Sequence, residues 1–232
     1  MELDKIYNMD CLEGMKNIPD KSVDLIVTDP PYELETQGGG IYNQADKQYV
    51  KELQDIKDGF RTEILDEICR VLKKINVYLF CSQKQIIPLT DYFVTKRGCN
   101  WNLLSWHKDN PVPACGNKYL SDTEYLLFFR EKGVKLYGDF KTKRTWFNTP
   151  LNQADKELYG HPTIKPVHIV ETLIINSSKE GQSILDPFIG SGTTAVACIK
   201  ENRHFIGFEI NEKYYKIACN RIRAEQAQLK LF

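Results

Sequence analysis

Two clusters of residues have types and spacings that could do chemistry. The first is Asp29-Pro30-Pro31-Tyr32, which closes the run Val23-Asp24-Leu25-Ile26-Val27-Thr28. Apart from one acid that run is apolar and rich in β-branched residues, as in a buried strand of a parallel sheet. Proline lacks an N–H and fixes φ, so two in succession end the ladder and hold the next residues in a rigid turn. A carboxylate, two prolyl carbonyls and an aromatic ring are thereby presented at the carboxyl end of a strand, where open α/β sheets place ligands. The set suits a planar base with an exocyclic amine. Asp29 and the Pro30 carbonyl could each accept one N–H, favouring a more tetrahedral nitrogen whose lone pair points outward. Tyr32 could stack on the ring, as enzymes do with a base taken out of a duplex. A methyl electrophile held in line would complete a transfer by proximity and orientation.

The second cluster is Gly181-Gln182-Ser183-Ile184-Leu185-Asp186-Pro187-Phe188-Ile189-Gly190-Ser191-Gly192-Thr193-Thr194-Ala195. A short apolar strand ends at Asp186, turns through glycines and enters a helix predicted over Thr193 to Lys200. Glycines let backbone approach a ligand closely, and a helix N-terminus follows. The next strand, Phe205 to Phe208, ends at Glu209, placed to bond ribose hydroxyls. No Gly-Lys-Ser/Thr follows, which excludes a P-loop. A nicotinamide or flavin site stays a competitor, because Gly190-x-Gly192-x-x-Ala195 fits that fingerprint. Against it, an acid at the strand end repels pyrophosphate but welcomes a cationic amine. The helix also lies too near the C-terminus to complete a βαβαβ unit in order. The strands after Asp186 and Glu209 in such a sheet would have to be Ile6–Met9 and Val23–Thr28, a circular permutation.

The elements that position these clusters alternate strand and helix, which says α/β with a mainly parallel sheet. Lys5 to Met9 is a predicted strand, and Asp10-Cys11-Leu12-Glu13 is a capping box opening a helix to about Ile18. Residues 33–56 are polar, carry Gly38-Gly39-Gly40 and suggest a mobile lid after the first cluster. Phe60, Ile64, Ile68 and Val71 recur at helical spacing. Asn76 to Cys81 is a buried strand, Ser82 a cap for a helix to about Arg97 bent near Pro88, and Trp101–Trp106 and Glu124–Phe129 are further strands. From about 130 to 160, seven basic residues interleave with Tyr137, Phe140, Trp146, Phe147 and Tyr159. Bases for phosphate and rings for stacking would serve a nucleic-acid surface, though a solvated loop reads the same way.

The whole chain of 232 residues has the balance of one globular domain, with 42% apolar and 27% charged residues and no net charge. No apolar run approaches the ~20 residues of a spanning helix, and no signal-peptide core opens the chain, so a cytoplasmic protein is expected. Seven cysteines without a C-x-x-C pair suggest neither a disulfide framework nor a zinc site.

On these motifs the chain resembles the S-adenosylmethionine-dependent DNA amino-methyltransferases of the DNA methylase N-4/N-6 family, in their β-type order with Asp29-Pro30-Pro31-Tyr32 first. His161-Pro162-Thr163-Ile164-Lys165-Pro166 with a helix through about Ser178, Asp186 to Thr194, and Glu209 follow in the family's order. The resemblance implies a doubly wound, circularly permuted Rossmann-like methyltransferase sheet with a small target-recognition insertion at about 130–160. It implies S-adenosylmethionine as cofactor and DNA, expected to be double-stranded, as partner. A homodimer and a restriction endonuclease companion are further expectations. By resemblance, Asp29, Pro30, Pro31 and Tyr32 are catalytic, with Asp29 also at the cofactor. Asp186, Phe188, Gly190, Ser191, Gly192 and Thr193 would surround the methionine moiety, helped by Thr163 and Lys165. Glu209 would take the ribose, and Asp10 and Cys11 the adenine. Asp29 at the motif's first position tilts the target to adenine N6, since cytosine-N4 enzymes more often carry Ser there. Cytosine N4, RNA, a protein glutamine amide, an oxidoreductase and a silent nucleic-acid-binding module stay as alternatives.

Overall fold

The computed structural model describes residues 1–30, 61–111, 113, 116–117, 119–160 and 164–229. Pro31, Tyr32, Thr163 and the whole 33–56 segment lie outside them.

Among the described residues eight strands form one sheet. They are β1 (Lys5–Tyr7), β2 (Leu25–Thr28), β3 (Asn76–Cys81), β4 (Asn100–Lys108), β5 (Thr123–Arg130), β6 (Trp146–Thr149), β7 (Ser183–Asp186) and β8 (His204–Phe208), in the spatial order β1-β8-β7-β2-β3-β5-β4-β6. Pairings are parallel except where β5 lies antiparallel between β3 and β4. The first strand of the chain pairs with the last, Ile6 opposite Gly207, and β2 pairs with β7, Ile26 opposite Leu185. This is the permuted order expected above. The parallel strands β7 and β2 are where the strand order reverses, running from β7 outward to β8 and from β2 outward to β3, and such a switch point leaves a crevice at the carboxyl ends of the two strands.

Strands β2 and β3 are buried at every position, which their continuous apolar runs dictate once helices cover both faces. Alternation then divides the core. Ile26, Val77 and Leu79 face one layer, with α1 (Cys11–Met15), α2 (Thr62–Val71) and α3 (Gln83–Thr90). Leu25, Val27, Tyr78 and Phe80 face the other, with α5 (Val167–Ser177), α6 (Thr193–Lys200) and α7 (Glu212–Leu229); α4 (Gln153–Tyr159) precedes α5. Stacked rings reinforce each layer, Phe93 on Phe129 at 4.5 Å and Tyr78 on Phe128 at 4.1 Å, each worth ~0.5–1.5 kcal/mol beyond burial.

Three local features differ from expectation. Asp10 caps α1 by accepting from the Leu12 and Glu13 N–H groups, but Glu13 pairs with Lys16 at 2.6 Å, and α1 stops at Met15. Pro88 sits inside α3 without ending it, and the helix widens into a π-helical turn over Asp91–Lys96. The third concerns the basic segment. Because β5 runs antiparallel, Arg130 ends beside Asn76, at the amino end of the parallel strands. Residues 131–143 stay there, with the Tyr137 N–H on the Asn176 carbonyl and Thr142 on the Asn176 side chain. Only β6, parallel to β4, carries the chain back to the carboxyl end, so Thr149 to Tyr159 alone approaches the crevice.

Candidate active site

Strand β7 ends at Asp186, which is 4% exposed. One carboxylate oxygen accepts from the Thr28 hydroxyl at 2.6 Å and the Phe188 N–H at 3.1 Å, and the other from the Thr194 hydroxyl at 2.6 Å. The acid thus ties the end of β2 to the start of α6 across the switch point. Burial pushes its carboxyl up to about 6 against those three bonds, and the charge of Asp29 adds to the rise. Gly190 (φ 53°) and Gly192 (φ 86°) take left-handed backbone. A Cβ on Gly192 would also press to 3.1 Å from the Ala218 side chain on α7, so the loop can sit this deep only with glycine there.

At the end of β8, Glu209 is 7% exposed and accepts N–H groups from Asn211, at 2.7 Å, and Gly190. Burial pushes its carboxyl up to about 7. A carboxylate has about four acceptor sites, so a buried Glu209 with two N–H donors retains capacity for hydroxyl groups. Cys11 opens α1 and is buried in the core, its thiol pushed up to about 12 by burial, and the Asp10 carboxylate caps the helix. Ser191 and Thr193 are buried at the head of α6. Thr193 is gripped from behind: Arg221 of α7 donates to its hydroxyl at 3.0 Å, reaches the Ser191 carbonyl at 3.4 Å and lies over the Tyr159 ring at 4.6 Å. Arg221 is itself 6% exposed.

The other wall starts at Asp29, directly after β2, with buried Pro30 beyond it. Asp29 Oδ2 lies 2.6 Å from Lys165 Nζ. Lys165 is 5% exposed; its ammonium lies 3.1 Å from Glu124 Oε2 and 5.1 Å from the centre of the Phe80 ring. Glu124 Oε1 in turn lies 2.7 Å from Lys108 Nζ. Burial works against the Lys165 ammonium, but Asp29 and Glu124 outweigh it and hold its pKa above the ordinary value. Likewise burial pushes Glu124 up, and Lys165 and Lys108 bring it below the usual range. The thiol of Cys81, at the end of β3, is pushed up to about 12 by burial and then by the Asp29 charge.

Of the residues singled out in the sequence, Asp29, Pro30, Lys165 and the Asp186–Thr194 loop converge on the switch point, and Glu209 sits one strand further out. Lys165 reaches this place differently from the family expectation: its side chain turns to Asp29 and Glu124, and its carbonyl lies 3.5 Å from the Thr193 hydroxyl. Sequence reading missed Thr28, Glu124, Lys108 and Arg221. Glu124 had a signal, an acid opening a run of apolar residues. Arg221 had another, falling with Tyr214, Ala218 and Ile222 on one helical face.

A family model described as DNA methylase matches residues 23–220. The chain belongs to the N6/N4 DNA methylase family. It is an S-adenosylmethionine-dependent DNA methyltransferase. Its curated relatives include the type II methyltransferase M2.DpnII of Streptococcus pneumoniae, 29% identical over 240 residues that span 95% of this chain and 90% of the relative. The type II methyltransferase M.HinfI of Haemophilus influenzae is 30% identical over 247 residues, 95% of this chain and 68% of the relative. Among solved structures, the M1.HpyAVI–S-adenosylmethionine complex matches with a TM-score of 0.67 and 26% identity over 94% of this chain and 98% of that one. The cytosine-N4-specific PvuII DNA methyltransferase shares the fold, with a TM-score of 0.69 at 16% identity over 97% of this chain and 91% of that one.

The donor set fits the cofactor. A buried acid for a diol, a glycine loop that admits close approach and a switch-point crevice suit a ribose and a cationic amino-acid tail, whereas the acid at the strand end opposes a pyrophosphate. Among the described residues no helix is long and apolar enough to cross a membrane.

Proposed function

We propose that this methyltransferase acts on the N6 amine of an adenine turned out of double-stranded DNA. The observation that carries the reading is the hydrogen bond at the switch point: Thr28 on Asp186 sets the cofactor loop and the adjacent Asp29 on neighbouring strand ends. Glu209 would hold the ribose, and the Phe188–Thr193 loop the methionine end. Asp186 serves that loop mainly as its anchor, since three protein donors already occupy its carboxylate. Bound there, S-adenosylmethionine supplies the electrophilic methyl group.

The residues of the chain do the rest. Asp29 accepts one N–H of the amine and the Pro30 carbonyl the other, drawing the nitrogen lone pair out of the ring. The Lys165 ammonium pairs with the Asp29 carboxylate at 2.6 Å, and so paired a carboxylate is a better acceptor than base. The amine proton therefore leaves after transfer, not before it. Tyr32 would stack on the base. Of the 130–160 segment, Thr149 to Tyr159 is the part that would meet DNA, with Lys156 half-buried beside Lys108 and Lys165. Burial lowers the Lys156 pKa first, and the two neighbouring ammonium groups lower it further. A phosphate would relieve both.

The test is methylation of duplex DNA with labelled cofactor, followed by digestion to nucleosides. N6-methyladenine is expected; N4-methylcytosine as the product would overturn the adenine assignment. A cytoplasmic location, a homodimer and a companion restriction endonuclease belong to the same proposal. Cell fractionation, sedimentation and cleavage of unmethylated host DNA are their respective tests.

A further inference from the structure

The second residue of β5, Glu124, is an acid at the head of an apolar run. Glu124 is directly opposite Trp106 in the sheet, and its side chain, 25% exposed, points into the layer that holds Phe80. Its two oxygens meet two lysines from different elements, Lys108 at the end of β4 and Lys165 before α5. Two partly exposed carboxylates and two ammonium groups then alternate in a line that ends on Asp29, with the buried Lys165 ammonium between the two acids. Burying charge costs several kcal/mol per ion before pairing returns it, so such a line is weak evidence of stabilisation and calls for another reason.

A lysine ammonium is a point charge on a flexible four-carbon stem. Set against Asp29 alone, it would settle between the two carboxylate oxygens and compete for the lone pairs an amine needs. A second anion on its far side draws it to one edge. Glu124 is that anion, and Lys108 holds Glu124 in turn. We propose that Glu124 is a positioning residue for methyl transfer, fixing Lys165 on Oδ2 of Asp29 so that Asp29 accepts from the target amine in one defined geometry. The inference rests on the amine-transfer reading above and adds to it a residue that never touches substrate.

The experiment uses the full chain, with single-turnover transfer to a duplex oligonucleotide at saturating S-adenosylmethionine. Glu124→Gln keeps the shape and removes the charge. Its transfer rate should fall about 10- to 100-fold, the scale of a small misplacement at a reacting centre. Cofactor affinity, the KM for DNA and the thermal midpoint should stay close to wild type. Glu124→Asp should recover part of the rate. Lys108→Met, one ion pair further out, should show the same pattern at smaller size and decides the matter if the glutamine variant does not fold. The pH profile supplies a readout that a purely structural role would not move. Among the described residues the charged groups facing Lys165 include Asp29 after β2, Glu124 from β5, Lys108 from β4 and Lys156 from α4, with the Phe80 ring of β3 below. Without Glu124, Lys165 holds its proton less tightly, so the alkaline limb of the rate should move to lower pH. Rates and profiles equal to wild type in the folded variants, or losses confined to KM and thermal midpoint, would overturn the proposal. A wild-type protein that methylates no amine in DNA would instead sink the functional reading, and this inference with it.

Discussion

The two walls of the crevice treat their acids in opposite ways. On the side of β7 and β8, Asp186 and Glu209 are buried among hydroxyl and N–H donors with no cation in hydrogen-bond reach among the described residues, and burial raises both. On the side of β2 and β5, Asp29 and Glu124 are laced to lysines, and Glu124 is held below the usual range. The same residue type serves two purposes. Neutral donors make an acid a rigid anchor; ammonium groups hold Glu124 charged and fix the orientation of both Glu124 and Asp29.

The sharpest way to break this contrast is at Asp29. Asp29→Ala should lower transfer by about 10²–10³-fold, the cost of removing a group aimed at a reacting centre, while S-adenosylmethionine affinity measured by calorimetry changes little. A parallel loss of cofactor binding would mean that the walls are not separable. On the other wall the order reverses. Arg221→Met should leave Ser191 and Thr193 without their charged donor and destabilise the fold by ~1.5–3 kcal/mol in chemical denaturation. Cofactor affinity should fall with it, and Asp29-dependent chemistry should survive at saturating cofactor.

Next in size is a pH effect. Asp186 and Glu209 have folded-state carboxyls at about 6 and about 7, above their ordinary values. The native state therefore binds more protons than the unfolded chain between pH ~4 and ~7, and their contribution to stability falls as pH rises through that window. Hydroxyl recognition by Glu209 has the opposite sign, because it needs the ionised acid. Binding of S-adenosylmethionine should weaken about tenfold between pH 8 and pH 6, as a group titrating near 7 requires. A flat profile would show that Glu209 is already ionised without ligand. The smallest effect is at the DNA surface. Lys156→Met should weaken binding a few-fold and lower the slope of log affinity against log salt by about 0.9, one phosphate contact. An unchanged slope would remove Lys156 from the DNA-facing wall.

Much of the site was legible in order along the chain. The strands that lead to Asp29, Asp186 and Glu209 announce themselves because each apolar run stops at an acid, with proline directly after Asp29 and Asp186. The helix Thr193–Lys200 and the strand Asn76–Cys81 were predicted with the bounds observed. The basic segment was less legible. Its composition suggests one surface, but the antiparallel run of β5 delivers residues 131–143 to the far end of the sheet and only Thr149–Tyr159 to the crevice. Strand direction is set by which neighbour offers hydrogen bonds, and composition carries no sign of it.

From the sequence alone came the list of chemical groups, the permuted order of strands and the ends of strands where function had to sit, because hydrophobic period and proline or glycine breaks are local properties. Which charges meet was decided only by the tertiary structure. Thr28 and Asp186 are 158 residues apart and share a hydrogen bond of 2.6 Å. Lys165 meets Asp29 and Glu124 because the end of β2 and the starts of β5 and α5 come together at the carboxyl end of the parallel strands. Coulomb forces and desolvation depend on distance and burial, and neither can be read from position along a chain.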